Sequence, residues 1–169
     1  RDIDCTSSGD GGAAYISANN VALKNVVFAN NVVGDDGGAI YWEGYNGIIE
    51  NITCTNNRGI SASKNDGSTS STRGGTICLT GGNMSISDSK FISSSAFMDV
   101  GKDSSKVDGG ALFVTGNGVN ITNVEFGNLT MVETEPHYQY DYGQKLKFTD
   151  LNLPSSYEVH FANDATTGI

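Results

Sequence analysis

The chain has 169 residues, of which 22 are glycine and 2 are proline, and charged residues make up 17%. Glycine, asparagine, serine and threonine rank low in helix propensity, so this composition argues against a helical protein and favours an all-β fold. The net charge of −9, with 10 scattered basic residues, excludes a nucleic-acid or anionic-membrane surface, because both need clustered lysine and arginine.

The first eight residues, RDIDCTSS, begin inside a pattern that recurs later, because IDCTSS at 3–8 matches ITCTNN at 52–57. We interpret them as a partial repeat unit, which would place Cys5 in the column of Cys54. The chain does not start with methionine, and it has no apolar run of the ~18 residues that a membrane span needs. We interpret it as a piece of a larger protein, and expect no membrane insertion in this piece.

Four full repeat units follow, each opened by a pair of glycines. The first glycines of these pairs are Gly11, Gly37, Gly74 and Gly109. Three columns keep constant distances of 12, 14 and 17 residues from that glycine: Leu23, Ile49, Ile86 and Ile121; Asn25, Asn51, Asp88 and Asn123; Phe28, Cys54, Phe91 and Phe126. Identical spacing in four units indicates an internal repeat.

Within a unit, apolar and polar residues alternate with a period of two, which is typical of short, half-buried strands. A unit this short cannot bury its own apolar face, so we predict that units stack with like residues ~4.8 Å apart. Residues 1–129 are therefore predicted to form an all-β, right-handed parallel β-helix of about four to five coils. The Phe28 column should face inward, the Asn51 column should form a buried amide ladder, and the double glycines should allow positive φ or close backbone approach.

Two neighbouring columns form the first strand of each unit. They are Tyr15, Tyr41, Cys78 and Phe113, and then Ile16, Trp42, Leu79 and Val114. Alternation requires one column to face the core and the other to face solvent, and the sequence does not distinguish them. Exposure would make Tyr15, Tyr41 or Trp42 an aromatic platform for a sugar. The alternative, which we favour, is core packing.

Two long inserts, residues 58–73 and 95–108, enter at the turn before a double glycine. In a stacked repeat this places both on one side, often the binding side. Their polar residues give a set of candidate binding residues: Lys64, Asn65, Asp66, Lys102 and Asp103. The alternative is that both inserts are tolerated additions without a function.

Aspartates precede three of the four double glycines, at Asp10, Asp36 and Asp108, and Arg73 precedes the other. Stacked carboxylates can hold Ca²⁺, but Asp-Gly is also ordinary turn chemistry. We favour the turn because Arg73 interrupts the stack, and we expect no metal and no cofactor.

The cysteines Cys5, Cys54 and Cys78 are predicted to be unpaired. Cys5 and Cys54 would lie two coils apart, ~9.5 Å, which exceeds the Cα separation of a disulfide. Lys24 and Glu50 fall one unit apart in one column, which predicts an ordinary cross-strand ion pair.

From about Met131 the repeat stops, and the alternation changes to Tyr138, Tyr140 and Tyr142. We predict that residues 130–169 add two or three antiparallel strands. They would form a C-terminal β cap or the start of a second small β domain, because a stacked repeat needs a cap over its open core.

The stretches GGAIYW…CTNN and GGAAYI…FANN resemble the GGA(I/L) and FxxN repeats of polymorphic outer-membrane proteins. They resemble still more the large adhesin-like surface proteins of methanogenic archaea. The resemblance covers about residues 1–129, although FISS and FGNL depart from it in the last two units. It implies a secreted or cell-surface module for cell adhesion that recognises a glycan or a surface protein without catalysis.

Residues 135–163 resemble, more loosely, a small β domain of gut bacteriophage tail-associated proteins. This implies an alternative, a virion protein that binds a host polysaccharide. A further alternative is a β-helix polysaccharide lyase or hydrolase, which needs clustered carboxylates or a basic residue beside them. The outward positions are mostly serine, threonine and asparagine, and both histidines lie outside the repeats, so we expect a binding protein and not an enzyme.

Overall fold

The computed structural model describes residues 9–62, 71–99 and 106–127, together with short strands at 2–3, 6–7, 129–134, 137–142, 146–148, 151–153 and 159–160. Side chains are described over 9–60, 72–96 and 109–127. Across these ranges the chain consists of strands and turns. In the same ranges, no helix has the length and apolar character needed to cross a membrane.

Short strands recur in the same order in every unit. Ahead of the first unit lie β1 (Asp2–Ile3) and β2 (Thr6–Ser7). The first unit holds β3 (Ala14–Ile16), β4 (Ala22–Lys24), β5 (Val27–Ala29) and β6 (Val32–Val33). The second holds β7 (Ile40–Trp42), β8 (Ile48–Glu50), β9 (Thr53–Thr55) and β10 (Arg58–Ala62), and β11 (Ser71–Arg73) follows it.

The third unit holds β12 (Ile77–Leu79), β13 (Ser85–Ser87), β14 (Lys90–Ile92) and β15 (Ser95–Asp99), and β16 (Lys106–Asp108) follows it. The fourth holds β17 (Leu112–Val114), β18 (Val119–Thr122), β19 (Val124–Gly127) and β20 (Leu129–Thr134). The last strands are β21 (His137–Tyr142), β22 (Leu146–Phe148), β23 (Leu151–Leu153) and β24 (Val159–His160).

Strands at equivalent positions of successive units lie side by side, so the units build four main sheets. Their orders are β3-β7-β12-β17-β24 (sheet 1), β4-β8-β13-β18-β23 (sheet 2), β1-β5-β9-β14-β19-β22 (sheet 3) and β2-β6-β10-β15-β20-β21 (sheet 4). Strands of neighbouring units pair in parallel, and each sheet ends with one antiparallel strand from β21–β24. The predicted all-β, parallel-strand architecture is confirmed.

The pairing stays in register although the units differ in length. Equivalent residues of neighbouring units are 26, 37 and 35 positions apart. Two predicted columns nevertheless lie directly opposite one another across all four units: Leu23, Ile49, Ile86 and Ile121, and Phe28, Cys54, Phe91 and Phe126. The stacking predicted from the glycine spacing is confirmed, because the extra residues fall between sheet 4 and the next double glycine.

The chain changes direction at residues with a left-handed backbone. Four such columns recur: Gly11, Gly37, Gly74 and Gly109; Asn20, Asn46, Asn83 and Gly118; Asn25, Asn51, Asp88 and Asn123; Asn30, Asn56 and Ser93. Glycine and asparagine tolerate this region better than other residues. The abundance of both residue types therefore follows from the number of turns in each unit.

The two glycines of each pair serve different purposes, as Gly37 and Gly38 illustrate. Gly37 has φ +67°, where a side chain would be strained. At Gly38 a Cβ atom would lie 1.9 Å from the carbonyl oxygen of Gly75 in the next unit. The first glycine supplies the turn and the second allows neighbouring backbones to approach closely.

The core lies between the sheets and is continuous along the stack. Phe28, Cys54, Phe91 and Phe126 are at most 1% exposed, which confirms the predicted inward column. The rings of Phe91 and Phe126 stack with centroids 5.2 Å apart. Cys54 and Cys78 are free thiols, and burial raises the pKa of both well above its usual range. Cys5 lies outside the described residues.

A pair of buried amide side chains lies beside this core. Asn31 and Asn57 occupy equivalent inward positions and are both fully buried. The backbone and side-chain amides of Asn31 donate to Asn57 Oδ1 at 3.1 and 2.8 Å, and Asn57 Nδ2 donates to the Phe28 carbonyl at 2.9 Å. These bonds offset the cost of burying the amides.

Amide ladders on the surface connect the turns, and their hydrogen bonds all run in one direction. In each rung among the described residues, the side-chain Nδ2 of the later unit donates to the oxygen of the earlier one: Asn46 to Asn20, Asn83 to Asn46, Asn51 to Asn25, Asn56 to Asn30 and Asn123 to Asp88. The predicted ladder at the Asn51 column is confirmed. The expectation that Asn51 is buried is wrong, because its side chain lies on the outside of the turn and is exposed.

The register of the partial unit also differs from the sequence alignment. The match of IDCTSS with ITCTNN would put Cys5 opposite Phe28, whereas Ile3 lies there. Thr6 then pairs with Val32, so three positions separate the paired residues Ile3 and Thr6, whereas four separate Phe28 and Val32. The similar string of residues therefore did not predict the register of β1 and β2.

The first unit is less well covered than the others. The partly buried apolar residues that pack on the core all belong to it: Ala13, Ile16, Val21, Leu23 and Val26. Sheets 3 and 4 extend past this unit through β1 and β2, whereas sheets 1 and 2 end at β3 and β4. In the first unit the apolar residues Ile16 and Leu23 of sheets 1 and 2 are therefore only partly buried.

The strands after residue 129 lie in the region that was predicted to form a C-terminal cap. β20 still pairs in parallel with β15 up to Val132, so the parallel pattern extends slightly past the predicted boundary. β22, β23 and β24 then pair antiparallel with β19, β18 and β17. The division of the chain into 1–129 and 130–169 stays a prediction.

The surface ladder at Asp88 provides a test of donor direction. A carboxylate accepts from Asn123 but has no hydrogen to donate to Asn51, so Asp88→Asn should complete the ladder. We expect the free energy of unfolding to rise by about 0.5–1 kcal/mol, the net value of one exposed hydrogen bond. Denaturant titration of the two proteins measures the change.

The control separates the hydrogen bond from the removed charge. At 1 M NaCl, exposed charges are screened within about 3 Å, so the gain should persist there. Asn25→Asp keeps the acceptor for Asn51 and should leave the ladder intact. A gain for Asp88→Asn that disappears in high salt would contradict the hydrogen-bond explanation.

Because the first unit is less completely buried, we expect alanine substitutions within the Leu23 column to lower the free energy of unfolding by different amounts. Ile86 is fully buried, so Ile86→Ala should lower the free energy of unfolding by ~2–5 kcal/mol. Leu23 is only partly buried, and Leu23→Ala should cost at least about 1 kcal/mol less, in proportion to the area already exposed. Equal losses in denaturant titrations would mean that the first unit is covered as fully as the third.

Candidate functional site

Exposed aromatic rings cluster on the first two units. Tyr15 on β3 and Tyr45 in the turn after β7 are each 54% exposed, and Tyr41 on β7 is half-buried. The rings of Tyr15 and Tyr41 stack with centroids 5.2 Å apart and planes 13° apart. We call Tyr15, Tyr41 and Tyr45 the tyrosine surface.

Trp42 shows which of the two columns in the first strand of each unit faces the core, a choice that the sequence did not decide. This side chain is fully buried in the core, so its column faces inward and the Tyr15 column faces outward. The Trp42 indole N–H is buried without a hydrogen-bond partner among the described residues. Trp42 is therefore a core residue and not part of an exposed platform, whereas Tyr15 and Tyr41 are placed where the binding interpretation needs them.

The outward column is exposed only in its first half. Cys78 and Phe113 continue it, yet they are 0% and 2% exposed. The Arg73 guanidinium lies 5.3 Å from the centroid of the Phe113 ring, at the end of the first long insert. Arg73 therefore covers part of Phe113, whereas the rings of the first two units stay partly or largely exposed.

The tyrosine hydroxyls have polar partners. The neighbouring Glu43 carboxylate, more than desolvation, raises the pKa of Tyr15 above its usual value. Burial raises the pKa of Tyr41, opposed by a hydrogen bond from Thr80. Both hydroxyls are neutral at physiological pH, so this surface offers uncharged rings with fixed polar tips.

A buried ion pair lies beside these rings. Arg73 donates from Nε to Asp36 Oδ2 at 2.9 Å, makes a second guanidinium contact to the same oxygen, and donates its backbone N–H to Oδ1 at 2.8 Å. The Asp36 side chain is 5% exposed and that of Arg73 33%. Burial raises the pKa of the Asp36 carboxyl, although the hydrogen bonds and charge of Arg73 oppose that rise.

The aspartates before the double glycines act as acceptors for the next unit. Asp10 Oδ1 accepts the backbone N–H of Asp36 at 3.3 Å, as Asp36 accepts that of Arg73. Carboxylate oxygens of Asp10, Asp35 and Asp36 lie within 4.8 Å of one another. Ca²⁺ takes about six to eight oxygen ligands, and one of these three carboxylates is already occupied by a guanidinium. The geometry favours the turn interpretation over a metal site.

A shallow groove lies around the turn from the tyrosine surface. It has a volume of about 330 Å³ and is lined by Asn46 and Ile48 of the second unit, Asn83, Met84 and Ser85 of the third, and Asn120 of the fourth, with two glycines. The described residues of its lining carry no charged side chain, and Ile48 is 40% exposed. We call it the amide groove.

The remaining candidates lie outside the described residues. Lys64, Asn65 and Asp66 belong to the undescribed part of the first insert, and Lys102 and Asp103 to that of the second. The described ends of the two inserts are paired strands, β10 with β15 and β11 with β16. The two inserts therefore leave the stack next to each other and next to sheet 1. This agrees with the prediction from their shared position before a double glycine.

Sequence reasoning missed Tyr45 and the amide groove. The signal was present, because Tyr45 directly precedes Asn46, and Asn20, Asn46 and Asn83 keep one spacing from the double glycine. A left-handed asparagine in each unit marks a turn, and a large side chain beside a turn on the outside of a stack is exposed. The predicted Lys24–Glu50 pair is confirmed, with Nζ 2.6 Å from Oε2.

The ion pair predicts a pH-dependent mutant. Arg73→Met removes the partner of a buried carboxylate and should cost about 2–3 kcal/mol at pH 7, below the ~3–5 kcal/mol of a fully buried pair because Arg73 is partly exposed. Without Arg73 the pKa of Asp36 should rise further. A carboxyl with a raised pKa in the folded protein loses stability as pH rises through the range above its unfolded pKa. The penalty should therefore shrink at pH 4.

Adding Asp36→Asn to Arg73→Met provides the control, since it removes the buried charge. We expect the double variant to lose the pH dependence and to recover part of the stability. Thermal unfolding between pH 4 and pH 7 measures both. A penalty of equal size at both pH values would show that lost packing of Arg73, not the unpaired Asp36, is its cause.

Comparisons with known proteins do not assign a family or a function to the chain. No protein-family model matches the chain, and neither a curated protein nor a solved structure matches it.

Proposed function

We propose that the chain is a non-enzymatic binding module of a cell surface, and that its ligand is a glycan. The observation that carries this proposal is the stacked pair of Tyr15 and Tyr41, whose rings are 5.2 Å apart on a stack of paired strands. Clustered exposed apolar area on a soluble protein marks an interaction site. Tyrosine offers a sugar both an apolar face and a hydrogen-bonding tip.

The surroundings of the ring pair support the same proposal. Sheet 1 carries the pair on its outer face, with the roots of both inserts on one side and the amide groove on the other. Loops and turns on a rigid scaffold commonly carry recognition. The candidate residues Lys64, Asn65, Asp66, Lys102 and Asp103 would then add contacts beside the rings.

We propose further that the four sheets wind as a right-handed parallel β-helix. In-register pairing of like strands in successive units supports this, because each unit then completes one coil. Connections between parallel strands of one sheet are right-handed in nearly all proteins. The resemblance of the glycine and FxxN repeats to adhesin-like surface proteins agrees with this fold and with an extracellular location.

The second candidate function is a bacteriophage tail-associated protein that binds host polysaccharide. The observation favouring it is the set of antiparallel strands β21–β24 at the end of the stack, in the region that resembles such proteins. Both candidates share the ligand chemistry and differ in the particle that carries the module. A polysaccharide lyase or hydrolase is the outcome that would overturn both.

The tyrosine pair gives the test. The variant Tyr15→Ala with Tyr41→Ala should lower retention on a glycan array or on cells at least about 10-fold, equivalent to 1.4 kcal/mol. Tyr15→Phe with Tyr41→Phe keeps the rings and should retain most of the binding. The melting temperature should change little in the phenylalanine variant, which serves as the folding control.

Two results would contradict the proposal. Release of reducing or unsaturated sugars from a bound polysaccharide would establish an enzyme. Absence of binding by the unaltered chain to every glycan and cell type tried would remove the ligand class. Binding that survives in the alanine variant would instead move the contact away from Tyr15 and Tyr41, to the inserts or to the amide groove.

A further inference from the structure

The amide groove has features of a second contact region for the same ligand. Its lining comes from equivalent segments of three successive units. Asn46 and Asn83 lie one above the other at the turn, and Asn120 lies opposite Ser85 on the strand that follows. Successive units are separated by ~4.8 Å, which places three rows of lining residues along ~10 Å of the stack. A groove with this periodicity matches a ligand that is itself an extended chain.

The side chains provide both kinds of contact that a sugar needs. Ile48 gives an exposed apolar patch, and the carboxamides each carry acceptor and donor atoms. Asn83 donates to Asn46 at 3.4 Å, a long bond that a ligand hydroxyl can replace at little cost. Asn120 is exposed on β18, and no hydrogen bond commits its amide among the described residues.

Tyr45 directly precedes the groove residue Asn46, and it contacts both neighbouring units. Its backbone N–H donates to Asn19 Oδ1 at 2.8 Å. Its ring lies against Gly82, where a Cβ atom would come within 3.1 Å of the ring carbon Cε1. Because glycine occupies that place, the ring rests on the backbone of the next unit while 54% of the residue remains exposed. A ring held in this way loses little conformational entropy when a ligand binds.

The uncharged side chains of the described lining favour neutral glycans over anionic ones. The protein carries a net charge of −9, and no cationic side chain is found among the described residues that line the groove. The nearest described lysine on the same sheet, Lys24, is already paired with Glu50. An anionic polysaccharide would meet repulsion from the protein as a whole and no compensating charge in the groove.

We propose that the amide groove, together with the ring of Tyr45, binds a neutral oligosaccharide that runs along the stacking direction. This inference rests on the proposed glycan-binding function and names the site and the ligand chemistry within it. The apolar face of a sugar ring packs on Tyr45 and Ile48, and its hydroxyls bond to the carboxamides of Asn83 and Asn120.

The experiment uses the full chain and a panel of oligosaccharides about six sugars long. Neutral gluco-, xylo- and manno-oligosaccharides are compared with anionic oligogalacturonates by titration calorimetry. NMR spectra record the side-chain amide signals of Asn46, Asn83 and Asn120. We expect a neutral member to bind and to shift these three signals.

Matched variants localise the site. Tyr45→Ala and Asn120→Ala should each weaken binding of the neutral oligosaccharide by about 10-fold or more, and Tyr45→Phe should retain most of it. Thr122→Ala is the control for Asn120→Ala, because Thr122 is also exposed on β18 but does not line the groove. It should leave the affinity unchanged.

The outcomes separate this inference from the function on which it rests. Neutral glycan binding that falls with Tyr15→Ala and Tyr41→Ala but not with Tyr45→Ala or Asn120→Ala would keep the proposed function and overturn the groove. The groove assignment would also be overturned if the protein preferred oligogalacturonate, or if only a peptide shifted the side-chain amide signals. If the unaltered chain binds no glycan, the proposed function fails and the groove assignment fails with it.

Discussion

The in-register pairing of each unit with the next is the constraint on which the rest of the structure depends. Strand pairing across units fixes which residues lie opposite one another, and the left-handed turns must then fall at the same place in every unit. A turn displaced by one residue would move a strand's apolar side chains to the outside. This explains why glycine and asparagine recur at fixed distances while the inserts vary freely in length. Insert length does not disturb the register because both ends of an insert return to paired strands.

Much of the stack could be predicted from the sequence because spacing encodes register directly. The Phe28 and Leu23 columns follow from a constant distance to the double glycine, and a parallel stack is the arrangement in which such residues meet. The direction of the Tyr41–Trp42 alternation could not be predicted, since exchanging inside and outside leaves the spacing unchanged. The buried position assigned to Asn51 failed for a related reason: a ladder needs stacking but not burial, and its amides lie on the outer side of a turn.

The candidate site was only partly visible in the sequence. The sequence identified Tyr15 and Tyr41 as possible surface rings. It could not predict that Arg73 covers Phe113, because that contact depends on the path by which an insert returns to the stack, and the repeat spacing contains no information about that path. Tyr45 was hidden because it occurs once, in a column otherwise filled by asparagine and glycine. Repeat analysis emphasises what units share, whereas binding surfaces are built from what a single unit has and its neighbours lack.

The common direction of the surface ladders gives the stack two chemically different ends. Every rung among the described residues uses the amide hydrogen of a later unit and the oxygen of an earlier one, so the side-chain hydrogens of Asn20 and Asn25 are left for a unit placed before the first. An additional unit built onto that end therefore has to present oxygen at both turns, and either asparagine or aspartate satisfies this. A unit inserted in the middle must both accept and donate, which asparagine can do and aspartate cannot. Lengthening the stack by design is thus governed by a residue rule that depends on where the new unit is placed.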